Sequence, residues 1–117
     1  LLIWPDAAKE KVKFGLTPLH LACDSRPSID VINALLTSWP YAAKEKDNKG
    51  YVPLYYACHC GASLAVVQSL LDLWLEAAEN RNMHSVESLI AKNTLRDVKD
   101  LFFHISSLFN ENQSNPS

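Results

Sequence analysis

Thr17-Pro18-Leu19-His20-Leu21-Ala22-Cys23 returns 35 residues later as Val52-Pro53-Leu54-Tyr55-Tyr56-Ala57-Cys58. The echo extends to both sides of this stretch. Trp4-Pro5 recurs as Trp39-Pro40, and the same frame lands on Trp74-Leu75. Ala7-Ala8-Lys9-Glu10-Lys11 recurs as Ala42-Ala43-Lys44-Glu45-Lys46 and, weakly, as Ala77-Ala78-Glu79-Asn80-Arg81. Self-similarity at a fixed period of this size marks a solenoid, in which each unit buries its apolar face against its neighbours.

Within one unit the local chemistry predicts two helices. Thr17 can cap free amides and Pro18 suits the first helical position. Leu19, Leu21, Ala22 and Cys23 then form a short apolar surface. Asp24-Ser25-Arg26-Pro27 reads as a turn, because proline disfavours helix in the residue before it. Ser28 caps a second helix with Asp30 in its first turn. Ile29, Ile32, Leu35, Leu36 and Trp39 fall on one face of that helix, and Pro40 stops it. The next unit repeats the face with Leu64, Val67, Leu70, Leu71 and Trp74. Gly61 lies at its turn, where positive φ carries little steric cost for glycine. Between the helix pairs, Asp47-Asn48-Lys49-Gly50 is turn chemistry.

Thr-Pro-Leu-His-Leu-Ala at 17–22, Gly15 before it, and the second-helix segments 31–36 and 66–71 closely resemble an ankyrin repeat. That family's unit is about 33 residues. This chain uses 35, with one extra residue at the helix–helix turn and one in the connector. The resemblance covers residues 1–93 and implies an all-α, helix-turn-helix solenoid. Residues 1–5 align with the end of an upstream repeat, 6–40 and 41–75 with two good repeats, and 76–93 with a degenerate one. In that last unit Ser85 to Asn93 occupies the motif's place and keeps only Leu89. Residues 94–109 then predict a capping helix, opened by a Thr94–Asp97 capping box. Its amphipathic face carries Leu95, Val98, Leu101, Phe102, Ile105, Leu108 and Phe109. Residues 110–117 are expected to be a disordered tail. Trp4, Trp39 and Trp74 are expected along one edge of the stack as packing residues. Val52 and Tyr55 replace Thr17 and His20, and losing the Thr cap should cost on the order of 1 kcal/mol.

Composition narrows the function. A net charge of -2 argues against nucleic acid or an anionic membrane surface as partner. No apolar run is long enough to span a bilayer. Three cysteines give no paired framework, which fits free thiols and, by default, a cytoplasmic setting. Cys58-His59-Cys60 is the local cluster most suggestive of metal or nucleophile chemistry. Cys58 is expected to face the core while His59 and Cys60 turn outward, so the three diverge and neither zinc nor a Cys–His pair can be assembled. Hence no catalytic residue, no cofactor and no metal is expected. His20 is expected to be structural, the role the resemblance gives it.

The resemblance implies a non-enzymatic protein-interaction scaffold, monomeric, that meets a protein partner on the concave side made by connector turns and first helices. Carried over by position, that side comprises Lys13, Phe14, Leu16, Asp24 and Ser25, then Asn48, Lys49, Tyr51, His59 and Cys60. Phe14, Leu16 and Tyr51 either anchor a partner or pack on the neighbouring turn. Two other readings remain: a targeting arm of a larger enzyme such as a kinase or ubiquitin ligase, or a purely structural segment of a longer stack.

Overall fold

Thr17 does open the first helix, and the cap is reciprocal. Its hydroxyl accepts the His20 N–H at 3.1 Å, while the His20 ring accepts the Thr17 N–H at 3.0 Å. In the computed structural model, which describes the backbone of residues 13–114 and the side chains of residues 14–109, six α-helices follow and no strand occurs among the described residues. They are α1 (Pro18–Cys23), α2 (Ile29–Ser38), α3 (Pro53–His59), α4 (Leu64–Trp74), α5 (Met83–Glu87) and α6 (Arg96–Ser114). The expectations on Leu1 to Val12, including Trp4, lie outside the described residues.

The helices pack in pairs: α1 on α2, α3 on α4, α5 on α6. First helices stack on each other (α1 on α3), as do second helices (α2 on α4, α4 on α6). This is the all-α ankyrin arrangement. Ser28 and Ser63 cap α2 and α4 through their hydroxyls, as the sequence requires of a residue entering a helix from extended backbone. Trp39-Pro40 ends α2, and the tight turn Pro40–Lys44 buries Ala42 and Ala43, which is why small residues recur there. The core runs continuously from Leu19, Cys23 and Ile32 through Leu54, Val67 and Leu70 to Val98 and Phe102. The predicted face of α4 is well buried, whereas on α2 only Ile32 is fully so.

Several local expectations change. Leu21, expected on the apolar surface of α1, is 46% exposed, whereas Leu19 and Cys23 of the same helix are buried. Thr94 forms no capping box with Asp97. Helix α6 starts at Arg96, and Thr94 is instead a buried tie, accepting the Ala91 N–H at 2.8 Å and donating to the Cys58 carbonyl at 3.2 Å. Leu95 precedes α6 and Leu108 lies off its buried stripe, and both are exposed. That helix also runs through Ser114 rather than ending at Phe109, since no Gly or Pro interrupts it before Pro116.

The third unit departs from the 35-residue frame. Its first helix begins at Met83, capped by Asn82 onto the Ser85 N–H at 2.8 Å, so Ser85 lies inside it and Leu89 follows it. The cause is a shortened connector. The turn Ala78–Asn80 folds back on α4, with Asn80 bonded to the Trp74 carbonyl at 2.8 Å and Arg81 to those of Leu75 and Glu76 at 2.6 and 2.9 Å.

Candidate functional site

The connector between the first two helix pairs is organised by Asp47. Its Oδ1 accepts the Lys49 and Tyr51 N–H groups, each at 2.9 Å, and its Oδ2 accepts the Tyr56 hydroxyl. Backbone bonds close the same turn, from Asp47 N–H to the Tyr51 carbonyl and from Gly50 N–H to the Asp47 carbonyl. Gly50 takes φ +87°, which only glycine adopts freely. Burial of the Asp47 carboxyl works to raise its pKa. The hydrogen bonds from Tyr56, Tyr51 and Lys49 oppose this, and together they hold it below its ordinary value. Burial and the bond to Asp47 conversely push the Tyr56 phenol up.

His20 joins this turn to the preceding unit. Because a backbone N–H can only donate, Nδ1 accepts from Thr17, so the proton sits on Nε2 and is donated to the Tyr51 carbonyl at 2.9 Å. The imidazole is buried, as its structural role demands. At the tips, the Asn48 N–H donates to the Phe14 carbonyl at 2.8 Å. Gly15 sits so close that a Cβ there would fall 2.6 Å from Asn48 Oδ1. Phe14 itself holds φ +66°, unusual for a non-glycine, and the residue is 69% exposed.

Tyr51, just before α3, and the aromatic side chains of α3 form a column. Tyr51 and Tyr55 stack at 3.9 Å and nearly parallel, Tyr55 meets the His59 ring at 4.1 Å, and Tyr56 packs edge-on against both tyrosines and His20. Burial, then the neighbouring Tyr51 and the charge of Asp47, raise the pKa of Tyr55.

Of the residues singled out from sequence, Phe14, Leu16, Asn48 and Lys49 come together around a hollow of about 190 Å3 with Asp47 and Tyr56. Tyr51 and His59 are brought together through Tyr55. Lys13 opens the first tip, and its side chain lies outside the described residues. Asp24 and Ser25 are exposed beyond the end of α1 and do not line the hollow; the Ser25 hydroxyl returns to the Leu21 carbonyl at 3.2 Å. Cys60 does not turn outward as expected. It is half-buried, and its thiol donates to the Cys23 carbonyl at 2.9 Å, because the α3–α4 turn is drawn against the end of α1. Tyr55, Tyr56 and Asp47 were not among the sequence candidates. The repeat itself carried the signal: Tyr56 and Tyr55 replace Leu21 and His20 where framework residues would otherwise recur.

Cys23 and Cys58 are buried thiols whose pKa values are raised chiefly by desolvation, that of Cys58 to about 12. Among the described residues no three His, Cys, Asp or Glu side chains converge as a metal site. No described helix is long and apolar enough to cross a membrane. Compared with curated proteins and with solved structures, the chain matches none. A family model described as ankyrin repeats (three copies) matches residues 1–77 of the 117, and the chain belongs to the ankyrin repeat family.

Proposed function

We propose that this chain is a non-enzymatic scaffold that binds a protein partner on the side formed by the connector tips and α1 and α3. Ankyrin repeats generally mediate protein–protein interaction and are typically non-enzymatic. The observation that carries the assignment to this side is the fixed display of aromatic and apolar groups there. Phe14 stands 69% exposed on a tip that is hydrogen-bonded to its neighbour, and the Tyr51–Tyr55–His59 column leads away from it. Phe14 and His59 are exposed while Tyr55 packs partly on the core, and aromatic anchors dominate many interfaces. Their positions are set before binding, by Asp47 and His20, so little conformational entropy is lost on association. The setting in the cell is proposed as cytoplasmic, on the strength of the unpaired thiols alone.

Site-specific photo-crosslinking tests the reading. A photoreactive residue at Lys49 or His59 should crosslink one defined protein in cells. The same residue at Gln68 or Asp72, on the exposed side of α4, should not. Equal labelling from both sides, or none from Lys49 and His59, would remove the assignment.

A further inference from the structure

The two connector edges differ. The first-unit side of the Asp47 turn is covered, since Phe14 accepts from Asn48 and His20 donates to the Tyr51 carbonyl. The other side would be covered by the next connector in a regular array, yet that connector is the shortened turn tied back to α4 by Asn80 and Arg81. A groove of about 300 Å3 opens in its place. Its floor is apolar, made by Val52, Trp74 and Leu89, each nearly inaccessible to solvent. Its walls carry the hydroxyl-bearing Tyr51, Tyr55, Ser85 and Ser88. Lys46 stands at the rim, and among the described residues no carboxylate lines the groove.

We infer that this groove takes one apolar side chain of a partner's peptide segment, with an acidic residue flanking it. The floor desolvates the apolar group, and its size suits a single side chain rather than a helix face. The flanking acid follows from charge: among the described lining residues Lys46 is the one ionised group, beside hydroxyl donors, and it favours an anion and disfavours a basic segment. The inference rests on the scaffold reading above and adds the chemistry of what is bound.

The probe is a random peptide library selected against the full chain, with the enriched peptides then measured for affinity. Two variants accompany it, both at exposed positions outside the core: Ser88→Trp, which fills the groove, and Lys46→Glu, which reverses its rim. Circular dichroism first establishes that both match the parent. Enriched peptides should carry an apolar residue beside Asp or Glu. They should lose at least tenfold in affinity to either variant, and Lys46→Glu should shift the selection toward basic flanks. Enrichment indifferent to both variants, enrichment of basic-flanked peptides on the parent, or no enrichment would overturn it. So would self-association of the chain alone that Ser88→Trp abolishes, since a second copy would then be the occupant. If crosslinking from Lys49 and His59 succeeds while both groove variants bind normally, the groove inference fails and the scaffold reading stands.

Discussion

At the residue scale, Asp47 is the group on which the connector depends. Its carboxylate accepts two backbone N–H groups and the Tyr56 hydroxyl, so its folded pKa lies below the ordinary 3.8. The stabilisation is therefore fully present above that ordinary value and is lost as pH falls through the folded one. Asp47→Asn should cost about 1–3 kcal/mol at pH 7, the range for removing charge-assisted bonds. Thermal melts from about pH 5 to about pH 2 should show the parent losing stability and the variant losing less, because the variant has no carboxylate to protonate. Arg26 offers the opposite case. It holds φ +54° where Gly61 holds φ +75° in the next unit. A left-handed non-glycine residue costs roughly 1–2 kcal/mol. The bond Arg26 makes to the Cys60 carbonyl is long at 3.4 Å and exposed. Arg26→Gly should thus stabilise the chain by about 1 kcal/mol in chemical denaturation. Unchanged or lower stability would show that the Arg contact matters more than the strain.

At the scale of the element, α1 and α3 are the same helix with and without its cap. Thr17 supplies both halves of a capping box with His20, whereas Val52 offers no side-chain bond and Tyr55 turns to stack on Tyr51. The structure softens the loss, because the Tyr55 N–H reaches the Val52 carbonyl at 3.0 Å. Substitution should accordingly be asymmetric. Thr17→Val leaves the His20 N–H without its acceptor and should cost about 1–2 kcal/mol. Val52→Thr should gain less than about 1 kcal/mol. Equilibrium unfolding of the two variants measures the difference, and a gain at Val52 as large as the loss at Thr17 would contradict the compensation. The caps at Thr17 and Ser28 were legible beforehand, since an N-cap is a local matter of one side chain and the backbone following it. The role of Thr94 was not: the expected cap is absent because its hydroxyl donates to the Cys58 carbonyl 36 residues away, which no local pattern encodes.

Across the whole molecule, the three cysteines report on one stack. Cys23 and Cys58 lie in the core with raised pKa values, while Cys60 is half-buried at the α3–α4 turn. Brief exposure to iodoacetamide at neutral pH should alkylate Cys60 first. Cys23 and Cys58 should react only as the chain unfolds, and together, as continuous packing from α1 to α6 implies. Mass spectrometry of partly labelled protein would reveal it. Separate labelling of Cys23 and Cys58 at different denaturant concentrations would mean that the units unfold independently, as weakly coupled repeats do.

The amino-acid sequence alone determined the repeat, the helix pairs of the first two units, most of their caps and the ankyrin fold class. Each is written as periodicity or as contacts a few residues apart, and periodicity survives substitution at single positions. Only the tertiary structure decided what the surface presents. It placed Phe14, Leu16, Asn48 and Lys49 around one hollow and joined Tyr51 to His59 through Tyr55. It also turned the Cys60 thiol onto Cys23, and it advanced the third unit's first helix ahead of its frame. These features depend on how neighbouring units meet. Where a connector is shortened, as at Ala78–Asn80, that meeting changes while the motif pattern gives no local sign of it.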